Sequence, residues 1–179
     1  MNRPSLAPPE RLRPYLVAPL LLLLGMMPLL RLIGMLGVRP FASWRGAARH
    51  ALAFMFAVTA CAHFGKQRGD LVRMVPPHIP YPDEVVRVTG VLEFFGAFGL
   101  TVPQVAPLAG RGLIALLIAQ FPANIHAARQ QIGVGGKPAT PLWFRTLVQV
   151  FFISLIHWSI ARHDTTTGAP AGERTGEAD

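Results

Sequence analysis

The chain is poor in charged residues and has a single cysteine, and both shortages narrow what it can be. Asp, Glu, Lys and Arg together make up 15% of its 179 residues, whereas a soluble domain usually contains about a quarter. Cys61 is the one cysteine, so the chain cannot form an intrachain disulfide or a CxxC redox pair. The chain therefore cannot work alone as a membrane thiol oxidoreductase.

Long apolar runs are what the chain does contain. Hydrophobic residues make up 51% of it, and their runs lack the period-two alternation of a membrane β-barrel. Five stretches have the length and composition of membrane helices. They cover residues 15–38, 48–64, 85–103, 106–127 and 142–161. The pattern predicts an all-α integral membrane protein that crosses the membrane several times.

The charge of the chain fits the same class of protein. Its formal net charge is +8, which in a soluble protein can indicate nucleic-acid binding. Here most Lys and Arg residues flank the apolar stretches, and the sequence has no nucleic-acid motif or basic patch with interleaved aromatic residues. Such flanking charges anchor helix ends at anionic lipid headgroups. The predicted partner is the lipid bilayer, not a nucleic acid.

The sequence divides into three parts. Residues 1–45 hold a basic segment and an additional apolar helix, which is not followed by a signal-peptide cleavage pattern. Residues 46–161 hold the other four apolar stretches and predict a four-helix transmembrane bundle. Residues 162–179 are small and polar, and predict a disordered tail.

Glu93 stands out because it is an acid within the apolar stretch 85–103. In a helix it would lie about 12 Å below the nearer end of that stretch. An ionised acid at such a depth costs roughly 2.5–3.5 kcal/mol, so Glu93 is expected to be protonated, paired or functional. Small and polar residues on one helical face predict close contact with other helices. They are Gly90, Glu93, Ala97 and Thr101.

Because successive segments reverse direction, four of them bring polar side chains to the same half of the membrane. His63 ends one segment and Asn124 lies near the end of another, while Glu93 lies further inside a third. In the fourth, Arg145 and Gln149 share a helical face, and Arg145 is the expected counter-ion of Glu93. These five are the predicted ligand-binding residues.

The link between the second and third apolar stretches contains four prolines, so most of it is not expected to be helical. It predicts a short amphipathic turn around residues 71–75 and a compact cap over the polar residues. Two further interpretations compete with a ligand site. One is a structural role in which these groups tie helices together. The other, a metal site of His63, Glu93 and His78, lacks HxxxH or ExxH spacing, and no metal is predicted.

Five short motifs follow one another in a characteristic order. They are AxxHF at 60–64, MVPPHIPYP at 74–82, TGVLEFFGAFGL at 89–100, FPANIHAA at 121–128 and RxxxQ at 145–149. In this order and spacing they resemble the DoxX-like family of small membrane proteins, over residues 46–161. The resemblance implies a four-helix bundle in a prokaryotic cytoplasmic membrane, with the helix at 15–38 as an addition.

The DoxX-like family is named for its relation to a subunit of a thiosulfate:quinone oxidoreductase. The resemblance therefore implies a redox-associated protein, and the polar residues predict a pocket for a quinone or a similar small amphiphile. His63 and Glu93 would hydrogen-bond the ligand or transfer protons, and electrons would come from a partner subunit. Apart from a quinone, no cofactor is evident. The alternative is a non-catalytic scaffold or assembly factor for a partner protein or a homo-oligomer.

Overall fold

A computed structural model describes residues 18–136 and 138–161, and within these ranges it contains helices and no strand. The α-helices are α1 Ala18–Met35, α2 Trp44–Ala62, α3 Arg68–Met74, α4 Pro82–Thr101, α5 Ala106–Arg129 and α6 Leu142–Ile160. The all-α class is thus confirmed. The predicted disordered tail and the basic segment at the N-terminus lie outside the described residues.

The five long helices coincide with the five predicted apolar segments to within a few residues. Local signals explain where two of them begin. Ser43 precedes α2, and its side-chain oxygen accepts a hydrogen bond of 3.0 Å from the backbone N–H of Gly46, as an N-cap residue does. α4 begins with Pro82, at a helix position where the missing N–H would have no intrahelical partner.

Among the described helices, α1, α5 and α6 are long and apolar enough to cross a membrane. α2 and α4 are of similar length, but α4 carries four charged residues. Phe94, Phe95 and Phe98 on α4 are more than half exposed, and exposed apolar patches of this kind mark membrane or protein contacts. The three candidate spans make this a membrane protein.

Four of the long helices contact one another in a ring. α2 packs against α4, α4 against α5, α5 against α6, and α6 against α2, while α1 packs against α2. Each contributes to one apolar core, in which Leu23, Leu52, Leu100, Leu113 and Ile156 are almost fully inaccessible. Between these helices lies a cavity to which α2, α4, α5 and α6 each contribute a polar side chain.

Small residues allow these helices to approach closely. A Cβ atom placed on Gly90 of α4 would lie 2.5 Å from the Cβ of His63, which directly follows α2. Gly90, Glu93 and Ala97 are all buried, as their shared helical face predicts. Thr101 is the exception, because it is exposed and its hydroxyl donates to the carbonyl of Phe98.

The short helix α3 lies in the link between α2 and α4 and ends before the first of the four prolines. The predicted turn is therefore helical, and it begins earlier than residue 71. Arg68 forms an ion pair of 2.5 Å with Asp83 at the start of α4. Asp70 accepts a hydrogen bond of 2.6 Å from the backbone N–H of Gly135, in the α5–α6 loop. These two contacts hold α3 against the start of α4 and against the α5–α6 loop.

Candidate functional site

Glu93 is buried, with 7% of its surface exposed, and its polar neighbours come from α2 and from the residue that caps this helix. One carboxyl oxygen, Oε1, accepts a hydrogen bond from the hydroxyl of Thr59. The other, Oε2, lies 3.6 Å from Nδ1 of His63. Thr59 and His63 are four residues apart, so they lie on the same face of the helix end. The end of α2 thus presents a hydroxyl and an imidazole to the acid of α4.

His63 directly follows the last residue of α2 and is half-buried. Its Nδ1 atom is buried and has no hydrogen-bond partner within the described part of the chain. The 3.6 Å to Glu93 is slightly longer than a hydrogen bond, so a small rotation of the ring would complete one. Gly90 makes this approach possible, since any side chain there would push His63 away.

Asn124, Arg145 and Gln149 form a second group, which joins α5 to α6. Nη1 of Arg145 donates to Oδ1 of Asn124 at 3.1 Å. Nδ2 of Asn124 donates to Oε1 of Gln149 at 3.3 Å, and Nε2 of Gln149 donates to the carbonyl of Leu117 at 2.9 Å. The bonds run in one direction, from a cation through two amides to a backbone oxygen.

The prediction that Arg145 is the counter-ion of Glu93 is wrong. The ion pairs among the described residues include Glu93 with His63, and none of them contains Arg145. The guanidinium donates instead to Asn124 and, through Nε, to the carbonyl of Thr140 at 3.2 Å. The first acceptor lies on α5, and the second lies two residues before the start of α6. The guanidinium of Arg145 is therefore bound close to its own helix.

A cavity of about 900 Å³ connects the two groups. Its wall includes Glu93, His63, Asn124 and Arg145, which are four of the five predicted site residues. Gln149 faces a separate groove of about 400 Å³ between α5 and α6. The cavity falls within the range of about 300–1,000 Å³ that is usual for small-molecule sites.

The rest of the cavity wall is largely apolar. α1, α2, α5 and α6 contribute side chains such as Leu22, Met55, Phe56, Leu117 and Phe152. α3 contributes Leu71 and Met74, which agrees with the predicted cap over the polar residues. The combination of an apolar wall with a few polar groups is typical of ligand pockets.

Residues 52–161 match the family described as Domain of unknown function (DUF8561), and this range is more than half of the chain. The chain belongs to the DUF8561 family. The matched region begins within α2 and ends just after α6, and it includes every predicted site residue. No curated protein and no solved structure matches the chain.

Several polar residues of the DUF8561 region line the cavity without being predicted as site residues, among them Thr59, Gln120 and Lys66. Thr59 hydrogen-bonds Glu93, and its spacing of one turn from His63 is the signal that could have identified it. Gln120 also lines the cavity, one turn before Asn124 on the same helical face. Lys66 reaches the cavity from the loop after α2, where no periodicity could have placed it.

The metal interpretation gains no support from the described part of the DUF8561 protein. Nowhere in residues 18–136 and 138–161 do three or more His, Cys, Asp or Glu side chains come together as metal ligands would. His78 therefore does not join His63 and Glu93 in such a group. The close pair of His63 and Glu93 has a carboxyl and an imidazole, which suit hydrogen bonding and proton transfer.

Proposed function

We propose that this DUF8561 protein is a multi-pass protein of the cytoplasmic membrane whose cavity binds a quinone or a similar small amphiphile. One observation carries the proposal: the buried Glu93, together with Thr59 and His63, lines a largely apolar cavity of about 900 Å³. An ionisable residue inside a membrane protein is costly and is often functional. An apolar cavity with a few polar groups is suited to a ligand that has a polar head and an apolar body.

In the proposed arrangement α2, α4, α5 and α6 form a four-helix transmembrane bundle, with α1 as an additional helix beside it. The ring of helix contacts supports this. The charges of α4 do not oppose it, because Asp83, Glu84 and Arg87 lie in its first two turns and Glu93 faces the cavity. Charges near a helix end can reach the headgroups. The resemblance of residues 46–161 to the DoxX-like family agrees with this arrangement and stays a prediction.

Within the cavity, Glu93 and His63 would hydrogen-bond a carbonyl or hydroxyl oxygen of the amphiphile. A carboxyl beside an imidazole can also pass a proton to or from that oxygen. In a redox-associated role the electrons would come from a partner subunit, since the lone Cys61 cannot cycle between a dithiol and a disulfide. The apolar part of the ligand would lie against Met55 and Phe152.

Native mass spectrometry of the gently extracted full chain, with decylubiquinone as the added probe, tests this proposal. We expect the wild type to bind the probe and Glu93→Gln to bind it about tenfold more weakly, because a hydrogen bond to the ligand is altered. Glu84→Gln is the matched control, since Glu84 is exposed on the same helix. Equal binding by Glu93→Gln would contradict the proposal, and no binding by the wild type would exclude a quinone as the amphiphile.

The alternative function is a non-catalytic scaffold or assembly factor, and a different observation favours it. The hydrogen bonds from Arg145 through Asn124 and Gln149 join α5 to α6 without any ligand. A scaffold predicts that Glu93→Gln and Arg145→Met lower stability and leave probe binding unchanged. It also predicts a partner protein or a second copy of the chain in stoichiometric amount in the same mass spectra.

A further inference from the structure

Arg145 is a half-buried cation in the cavity wall, and its contacts do not balance its charge. The oxygens that accept its hydrogen bonds belong to the side-chain amide of Asn124 and the backbone of Thr140, and both are neutral. Among the described residues, no carboxylate forms an ion pair with it. A charge removed from water without an opposite partner is unfavourable, so an anion in the cavity would stabilise this arrangement.

The guanidinium is also held in position and keeps donors to spare. Of the five N–H groups of an arginine, Arg145 uses one on Nε and one on Nη1 within the described structure. Both N–H groups of Nη2 are left, together with the second one of Nη1. Asn124 is in turn fixed by Gln149. A fixed, planar set of donors matches the paired oxygens of a carboxylate or phosphate.

Within the part of the chain that the structure describes, the cavity wall holds one further cation and one acid. Lys66 lines the cavity and is exposed, so it adds a second positive charge to the wall. Glu93 is the acid among the lining residues, and its two oxygens face Thr59 and His63. The acid is thus engaged by a hydroxyl and an imidazole, and it does not neutralise Arg145.

We infer that the amphiphile held in the cavity is an anion, with a carboxylate or phosphate head group on Arg145 and an apolar chain against the lining of α1 and α2. This deepens the proposed function and rests on it, because both concern the same cavity. The shared chemistry is an oxyanion attached to a long hydrocarbon chain, as in a free fatty acid or a lysophospholipid. Among the amphiphiles that the proposed function allows, an acidic one compensates the charge of Arg145, whereas a neutral quinone does not.

Binding of four probes to the full-length protein in a neutral detergent tests the inference. The probes are palmitate, 1-palmitoyl lysophosphatidate, the neutral 1-hexadecanol and inorganic phosphate. We expect the tighter of the two anionic amphiphiles to bind at least about tenfold more tightly than hexadecanol, because hydrogen bonds to a charged group are added. Tighter binding of palmitate assigns a carboxylate head group, and tighter binding of lysophosphatidate assigns a phosphate. Inorganic phosphate that binds as tightly as either amphiphile would overturn the inference.

Arg145→Gln should bring the preference for the anionic probe over hexadecanol close to one. Arg129→Gln is the matched control, because Arg129 is exposed at the end of α5 and does not line the cavity. The preference is a ratio of two affinities of the same folded protein, so a loss of stability does not alter it. Arg145→Lys keeps the charge and should keep part of the preference. An unchanged preference in Arg145→Gln would overturn the inference.

The two proposals can fail separately. If decylubiquinone binds in a manner that depends on Glu93, and palmitate and lysophosphatidate bind no more tightly than hexadecanol, the anionic head group is wrong and the amphiphile site stands. If neither decylubiquinone nor any of the long-chain probes binds, both proposals are wrong. If the anionic probes bind with dependence on Arg145 while Glu93→Gln has no effect on any ligand, the cavity binds anions and the assigned role of Glu93 is wrong.

Discussion

The hydroxyl of Thr59 donates a hydrogen bond to the carboxyl of Glu93 across the contact between α2 and α4. The same hydroxyl lies 3.1 Å from the carbonyl of Phe56 in its own helix. A hydroxyl has a single proton to donate. When that proton points to Phe56, only a protonated Glu93 can keep the bond to Thr59, by donating its own proton. The orientation of the hydroxyl and the protonation of the acid are therefore coupled.

Thr59→Val should destabilise the protein, because it leaves the buried carboxyl of Glu93 without its hydrogen bond. The expected loss in the free energy of unfolding is about 1–3 kcal/mol, measured by titration with denaturing detergent. Thr59→Ser should lose much less stability, because serine keeps the hydroxyl that donates to Glu93. Thr101→Val serves as the control, since Thr101 is exposed and bonds within its own helix. Equal losses for Thr59→Val and Thr101→Val would show that the contact with Glu93 contributes nothing.

Gly90→Ala should displace His63 from Glu93. The added Cβ would lie 2.5 Å from the Cβ of His63, and such overpacking usually costs about 1–3 kcal/mol. Gly112→Ala is the matched control, because its added Cβ would have no described atom within 4 Å beyond its chain neighbours and the backbone of its own helix. There the better helix propensity of alanine should stabilise the protein slightly. The same denaturation assay compares the two, and a neutral Gly90→Ala would mean that α2 and α4 can separate freely.

Gln149→Leu should weaken the contact between α5 and α6, because it removes an acceptor from Asn124 and a donor from the Leu117 carbonyl. Hydrogen bonds between membrane helices average about 0.6 kcal/mol and reach about 1.7 kcal/mol. The double variant with Asn124→Leu should lose less than the sum of the single losses, since the two side chains share one bond. Strict additivity in this cycle would contradict the pairing. Gln104→Leu, in the exposed α4–α5 turn, provides the baseline.

Cys61 offers a direct readout of cavity occupancy. It is the one cysteine of the chain, it is exposed, and it lines the cavity. A bound amphiphile should therefore slow its reaction with a maleimide, to a degree that follows ligand occupancy. The control carries Gln104→Cys in a Cys61→Ser background, where the thiol lies outside the cavity wall and its labelling should not respond. Unchanged labelling of Cys61 at saturating decylubiquinone or palmitate would place the ligand elsewhere.

The helices could be predicted from the sequence because each is an apolar run of suitable length, and local signals such as Ser43 and Pro82 mark their starts. The proximity of His63 and Glu93 was also predictable in outline. Chain reversal brings the end of one helix beside the interior of the next, and Gly90 indicates which faces meet. Those parts of the site follow from helix direction and side-chain size.

The partner of Arg145 could not be predicted in the same way. Helical faces place Arg145, Asn124 and Glu93 in one half of the molecule, but a flexible arginine can reach several acceptors. Its choice depends on the distance between α5 and α6, which brings Asn124 within 3.1 Å. The role of Thr59 was missed for a related reason, because a threonine in a helix can always bond its own backbone. Both outcomes depend on packing between helices rather than on sequence spacing.

The attachment of α3 has a consequence for how fast a molecule can enter or leave. Arg68 with Asp83 and Asp70 with Gly135 hold this short helix over the cavity, and Asp83 and Gly135 are exposed. The first of these contacts is a solvent-accessible charge pair, which dissolved salt weakens, whereas the apolar wall below is not weakened by it. Higher ionic strength should thus speed the entry and release of an occupant by loosening α3, separately from its screening of an anionic head group on Arg145.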